Sequence, residues 1–565
     1  MASGGTCTIC RDASGWTTKA SCEQTFQRHE QRGYLAVTQP RRYLPTFALL
    51  IFALLVITGC AGPVRAPFEA PEEEKAFPAA PSGPLASLEQ RITTRAEAPD
   101  PKDNPGAISG FKLLDRSEDA LRWRLALIDA ATQSIDTQYY LYHGDSSGLI
   151  FTSRLLAAAD RGVRVRVLID DIGTLALSLS QKQLRDSMGA LMIAHPNISF
   201  RLFNSSKNRS ALGRGWDYAQ DFEQFNHRMH NKSLTVDNRA TIIGGRNIGD
   251  EYMGLHDHFN FRDIDVLGIG PVARQTSDVF DLFWNSGWVI HPNQTTRDKA
   301  EAAAPGQRAI MERELRRSEE LERFSLTPRS WESEFNALLP TLHLGSSEVL
   351  TDRPGPEGIS NDLYDWITAT IPEVKEELLV TNAYLIPETS GVSLLAGLTE
   401  KGVDVQIHTN SLASHDVPAV NSHYKAWRTP ILEAGVSLFE ARHDAEIKVS
   451  VVDTPPISAK YMGLHSKSMV IDRRFAIIGS ANFDPRSAFL NSEMIAVIDS
   501  EGLAEELAQA ILRDMAPANS WEVSLDDAGK LLWQNDVETT QTQPARDSFQ
   551  PIADWFFMLF PKRFY

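Results

Sequence analysis

A histidine and a lysine two residues apart, His230 and Lys232, stand before Asp237, and the same three residue types recur at the same spacing as His465, Lys467 and Asp472. In each copy a step of small residues follows, Gly244-Gly245 or Gly479-Ser480, and then an asparagine, Asn247 or Asn482. Residues at i and i+2 of a strand share a face, so each His and Lys can reach one group together. That group is an anion. A protonated lysine is no metal ligand and repels a cation, so no metal is expected here. Histidine supplies a nucleophile or a proton carrier. Lysine and the asparagine amide stabilise negative charge, and small residues let backbone N–H groups approach an oxyanion. Gly245 and Ser480 are therefore expected to line the substrate beside Asn247 and Asn482. A single short pattern of this kind is often accidental, but two copies point to one shared site. In such a site two His flank a phosphodiester while two Lys and two Asn neutralise its oxygens, and no cofactor is called for.

The elements needed to hold these residues are legible around them. Leu234-Thr235-Val236 and Met469-Val470-Ile471 carry each motif strand into a core, and Asp237 and Asp472 fall at the turn that follows. Those two aspartates are counted with the catalytic set, although fixing the strand-turn geometry is their more natural task. The surroundings repeat as well. Ile135 to Tyr142, Gly148 to Arg161 and Val163 to Ile169 read as strand, helix and strand; so do Leu378 to Ile386, Gly391 to Lys401 and Val403 to Ile407. Arg161-Gly162-Val163 answers Lys401-Gly402-Val403, and Tyr140 answers Tyr384. The fold class expected is α/β: two similar α/β/α domains with mixed, largely parallel sheets, packed about a pseudo-twofold axis.

Outside the repeat, the four cysteines lie at 7, 10, 22 and 60, and a long chain otherwise free of thiols suits an exported protein. Cys7, Cys10, Cys22 and His29 have the residue types of a zinc cluster but irregular spacing and no surrounding core. Arg41 and Arg42 precede the apolar run Phe47 to Ile57, which ends in Ile57-Thr58-Gly59-Cys60. That is the form of a secretory signal, too short for a spanning helix. An uncleaved anchor is the alternative, and both readings tie the chain to a membrane. Residues 1–40 lie upstream of the basic pair and read as a start assigned too early. Residues 61–108, rich in Pro, Ala and Glu, read as a tether. The expected boundaries are then 1–60 leader, 61–108 tether, 109–290 first domain, 291–340 helical connection, 341–518 second domain and 519–565 tail. In the tail, Trp555 to Phe560 followed by Lys562 and Arg563 suits either a membrane interface or packing on the body. The net charge of −17 argues against nucleic acid as a partner, since phosphate binding needs a basic surface.

The duplicated His-x-Lys-x4-Asp-x6-Gly-Gly/Ser-x-Asn pattern resembles the signature of the phospholipase D superfamily, over Ser109 to about Asp514. Within it, Met229 to Ser233, Gly244 to Asp250, Asn482 to Ser487 and Leu490 to Met494 look like the bacterial cardiolipin synthases of the C type, with Arg262 to Asp265 as the first-half counterpart. The leader and tether depart from that subgroup's pattern. The resemblance implies a two-step displacement through a phosphatidyl-histidine, with His230 as nucleophile and His465 as acid and base. It also implies that Asp263 and Glu493 orient the catalytic rings. The expected substrates are phosphatidylglycerol and phosphatidylethanolamine, with the protein held at a membrane. Ile57 to Cys60 looks like a lipobox, with Cys60 the lipidated residue of a bacterial lipoprotein facing the periplasm or cell exterior. Hydrolysis of phospholipid to phosphatidic acid, phosphodiester cleavage in nucleic acid and a non-catalytic scaffold are the other readings left open.

Overall fold

A computed structural model of the protein describes residues 11–12, 15–16, 64–96, 108–174, 179–206 and 222–558. The apolar run before Cys60, Cys60 itself, the other cysteines and the last seven residues lie outside these. The chain divides into two units, Met1–Cys60 and Ala61–Tyr565. In the first, Arg11–Asp12 pairs antiparallel with Gly15–Trp16. Everything below concerns the second.

Each half begins its sheet with a parallel trio laid down in chain order. In the first half these are Ser134–Tyr139, Arg164–Asp170 and Ile198–Phe203. In the second they are Glu377–Asn382, Asp404–Asn410 and Ser437–Ala441. Helices Ser146–Asp160 and Glu388–Thr399 make the first crossover of each trio, as parallel pairing demands. The motif strand then joins antiparallel: Ser233–Val236 beside Ser134–Tyr139, and Lys467–Ile471 beside Glu377–Asn382. Antiparallel additions continue outward through Ala240–Gly244, Asp265–Ile269 and Ser109–Leu114 in the first half. The second half repeats this with Phe475–Gly479, Met494–Asp499 and His343–Thr351. The sheets are thus mixed as expected, but the expectation that they are largely parallel is corrected. Each motif strand ends in a tight turn with positive φ at Asp237 and Asn238, or at Asp472 and Arg473. A turn that short joins only antiparallel neighbours.

The two sheets meet edge to edge where His343–Gly345 pairs with Ser109–Phe111. Two further exchanges tie the halves together. Phe259–Arg262 pairs parallel with Tyr461–Leu464, and Asn491–Ser492 pairs parallel with Arg228–Met229. The second exchange is the first with the halves interchanged, which is the signature of the pseudo-twofold relation.

Residues 64–96 do not form a free tether. Ala66, Phe68 and Ala80 donate backbone hydrogen bonds to Pro356, Gly287 and Asp237, and helix Pro84–Ala96 buries Leu85, Leu88 and Ile92 in the first-half core. Apolar residues at i, i+3 and i+7 behind a proline at the first helical position were the available signal. Proline-rich composition outweighed it. The connection 291–340 likewise contributes Met311, Leu315, Phe324, Trp331 and Phe335 to that core. At the C-terminus, helix Gln550–Phe557 docks through polar groups: Asn421 and Lys425 both donate to Asp554. Its other face leaves Phe549, Ile552, Trp555 and Phe556 exposed. Among the described residues no helix is long and apolar enough to cross a membrane.

Candidate active site

The exchanged strands set both histidines at the junction of the halves. The backbone N–H of His230 donates to Ser492 O and that of His465 to Arg262 O, each at 2.8 Å. The residue after each acceptor is a carboxylate, and it takes the imidazole that the exchange has delivered. His230 Nδ1 lies 2.8 Å from Glu493 Oε2, and His465 Nδ1 lies 2.6 Å from Asp263 Oδ2. Each imidazole is therefore oriented by the opposite half, an arrangement that the residue spacing alone did not disclose. With Nδ1–H donating to a carboxylate, the ring presents Nε2 to a substrate. Nε2 of neither ring has a hydrogen-bond partner among the described residues.

Burial controls the charges. Desolvation pushes the His230 imidazole down to about 4, against the pull of Glu493 and helped by Lys232 and Lys467. His465 lies well below its usual value for the same reason, with Lys467, Lys232 and His230 adding to the effect. Desolvation also brings Lys232 down to about 7 and lowers Lys467. The basic groups of the two halves feel one another across the junction. An anionic phosphate among them would offset the cost of holding buried cations. Lys232 Nζ donates to His230 O at 2.5 Å, and Lys467 Nζ donates to His465 O. The rings are walled by aromatics that sequence reasoning missed. Tyr140 packs edge-on to His230 at 4.8 Å, and Tyr252 and Phe261 flank His465 at 5.2 and 5.0 Å. Tyr140 carried a signal, its match with Tyr384 across the repeat; nothing in residue type or spacing singles out Tyr252 or Phe261 before the exchange is known.

The two motif asparagines are both buried. Asn247 Oδ1 accepts the Leu141 N–H at 3.0 Å, while its Nδ2 is buried without a partner. Asn482 has its Oδ1 buried without a partner, and half a turn of the amide would present Nδ2 instead. Both are suited to donate to a phosphate oxygen.

Two groups of expectations are corrected. Gly245 and Ser480 do not offer an oxyanion their backbone N–H groups, which donate to Ile264 O and Met494 O within the sheet. Gly245 is small for another reason: a Cβ there would sit 2.3 Å from Asp263 Oδ1. Ser480 instead donates its hydroxyl to Glu493 Oε2 at 2.5 Å, and Ser487, also missed, donates to Oε1 at 2.7 Å. Asp237 and Asp472, counted as catalytic, lie at the far end of the motif strands. Asp237 accepts the N–H groups of Thr132, Gln133 and Ser134, and Asp472 those of Lys375, Glu376 and Glu377. These carboxylates fasten each motif turn to the start of the neighbouring strand.

Among solved structures, a phosphatidylserine synthase from Haemophilus influenzae covers 76% of this chain and 91% of its own at 15% identity, with a TM-score of 0.49. Cardiolipin synthase 2 of Staphylococcus epidermidis is 26% identical over 69% of this chain and 64% of its own length. Cardiolipin synthase C of Escherichia coli is 36% identical over 76% of this chain and 89% of its own. The family model described as "Cardiolipin synthase, PLD-like domain" matches residues 125–284 and 367–515, which contain both motifs and both orienting carboxylates. The chain belongs to this cardiolipin synthase family of phospholipase D-like proteins.

Proposed function

We propose that the protein is a phosphatidyltransferase that makes cardiolipin or a related phospholipid through a covalent histidine intermediate. The observation that carries the reading is the pair of imidazoles, each tied through Nδ1 to a carboxylate of the other half and both facing one doubly lysine-lined site. In the first step Nε2 of His230 attacks the phosphorus of phosphatidylglycerol. The P–O bond to the glycerol headgroup breaks, and that oxygen takes a proton from Nε2 of His465, which the negative charge of the bound phosphate converts to the imidazolium before the step. In the second step His465 removes a proton from the incoming lipid alcohol, whose oxygen attacks phosphorus and breaks the P–N bond. Two displacements replace one difficult transfer, and the same ring serves as acid and then base. Lys232, Lys467, Asn247 and Asn482 hold the phosphate oxygens. Glu493, held below the usual carboxylate range against desolvation by His230 and Lys232, stays ionised and keeps the His230 proton on Nδ1.

The acceptor is a second phosphatidylglycerol, whose headgroup carries the free hydroxyl; phosphatidylethanolamine, which ends in an amine, fits as an alternative phosphatidyl donor that releases ethanolamine, and the protein works from a membrane. Acylation of Cys60 supplies the anchor, and the exposed row Phe549, Ile552, Trp555 and Phe556 supports a seat at the lipid surface. Placement of the catalytic unit in the periplasm or outside the cell follows from that anchor.

The deciding assay uses purified protein in vesicles of phosphatidylglycerol with phosphatidylethanolamine. Released glycerol and new cardiolipin are counted against phosphatidic acid. Cardiolipin as the main product, reverted by added glycerol, is the expected outcome. Phosphatidic acid as the main product at every acceptor concentration would replace the transferase with a hydrolase.

A further inference from the structure

The second half holds a largely apolar cavity of about 490 Å³ that the displacement chemistry does not use. Its floor is the outer face of the sheet at Leu378, Val380 and Ile407, and its walls are helices Asp362–Thr370 and Glu388–Thr399, through Ile367 and Leu395. The inner end is different. There the lining includes Asn482 and Glu493, the phosphate-side amide and the carboxylate that orients His230. Phe489, half exposed and 5.3 Å from Tyr364, belongs to the same lining.

From this we infer that the cavity receives an acyl chain of the lipid whose phosphorus sits between the histidines. The inference rests on the reading of the site as phosphatidyl-transferring. A phosphatidyl group is polar at the phosphate and apolar beyond the glycerol, and the cavity has that same gradient, leading from the catalytic residues into hydrocarbon-lined space. Its volume is in the range of pockets that enclose small apolar ligands. A nucleotide or sugar diester would bring nothing apolar to Ile367, Leu394, Leu395 and Phe489, which line the cavity and are left partly exposed. The helices themselves fit the role. Glu388–Thr399 is rich in apolar residues, yet only Leu398 is fully buried, and in Asp362–Thr370 only Leu363 is. Their first-half counterparts Ser117–Ala130 and Ser146–Asp160 bury most of their residues. The loosely covered helix pair and the cavity occur together in one half.

Two measurements test this. In mixed micelles at fixed lipid fraction, Ile367→Trp and, separately, Leu395→Phe fill the cavity without touching the catalytic groups. Each buried methylene is worth about a fourfold change in affinity, so loss of several is easily read. For either variant, kcat/KM for an eighteen-carbon donor should fall tenfold or more, while that for a six-carbon donor stays within twofold. An equal fall for both donors in both variants, or no fall, overturns the assignment. Independently, phosphatidylglycerol with a diazirine on an acyl chain should label the wild-type protein within residues 362–399, and unlabelled lipid should suppress it. Labelling confined to other segments overturns the assignment. Labelling there without release of glycerol would leave the pocket standing and remove the proposed chemistry. Turnover independent of chain length, with no such labelling, would do the reverse.

Discussion

The two halves place equivalent His, Lys and Asn side chains around the candidate site, but they differ in what supports them. Behind His465 stands Asp263, a short carboxylate against which Gly245 must pack without a side chain. Behind His230 stands Glu493, one methylene longer, with the hydroxyls of Ser480 and Ser487 occupying both oxygens. Burial raises Asp263 above the usual carboxylate range, whereas Glu493 is held below it by His230 and Lys232 in spite of desolvation. Farther out, the first-half helices are sealed by residues of the 291–340 connection, and the second-half pair borders an open cavity. Twofold symmetry thus holds for the sheets, the motif turns and the His, Lys and Asn side chains of the candidate site, and breaks in the groups behind the rings and in the outer helices. That is the pattern needed when a symmetric phosphate must be approached by two chemically different partners.

The largest effect follows from the shared part. If both histidines act on one phosphorus, His230→Ala and His465→Ala each remove on the order of 10³-fold or more of kcat, and the double variant is little worse than either single one. Initial-rate assays on phosphatidylglycerol vesicles measure this. Half-activity in a single variant would mean two independent sites and would break the comparison at its root.

The next effect probes the difference in support. Gly245→Ser drives a side chain into Asp263 and frees the His465 ring. Loss of an orienting carboxylate from a catalytic histidine costs up to about 10⁴-fold, so a fall on the order of 10³-fold in kcat/KM is expected. Ser480→Gly removes one hydroxyl from a carboxylate that retains Ser487 and His230, at a cost of about tenfold. Circular dichroism on both variants separates misfolding from loss of chemistry. Equal losses would show that the two supports are interchangeable, contrary to their geometry.

How much of this was legible depended on whether the signal was local. The motif strands, their turns and the first two strands of each parallel trio follow from periodicity over a few residues, and the sequence places them close to where they lie; the third strands, Ile198–Phe203 and Ser437–Ala441, were not read. The exchange of Phe259–Arg262 and Arg228–Met229 between halves is non-local, so the pairing of His230 with Glu493 and of His465 with Asp263 could not be read from spacing. Ser480 was misread because small residues suggest open backbone; here the hydroxyl is needed and the backbone is engaged. Residues 64–96 were misread because Pro and Ala dominate the composition, while the burying residues Leu85, Leu88 and Ile92 are few.

The smallest effect on turnover, and the sharpest check on one correction, comes from the two motif aspartates. Asp237 is almost wholly buried and takes a hydroxyl from Thr132 at 2.7 Å besides three backbone N–H groups. Asp472 is partly exposed and takes three backbone N–H groups alone. Both have positive φ, which asparagine adopts readily, so Asp→Asn changes the charge and leaves the turn intact. It also turns an amide NH₂ toward backbone donors, leaving at least one of them unpaired. For a buried group the penalty is about 1–3 kcal/mol. Asp237→Asn should fall near the upper end and Asp472→Asn near the lower, read as a shift of the urea midpoint at constant m-value. Turnover per folded molecule should stay within about twofold of wild type in both, because neither carboxylate touches the reacting groups. A folded Asp237→Asn protein without activity would return that residue to the catalytic set. A larger loss of stability in Asp472→Asn than in Asp237→Asn would show that burial does not set the strength of these anchors, and would remove the distinction between the two turns.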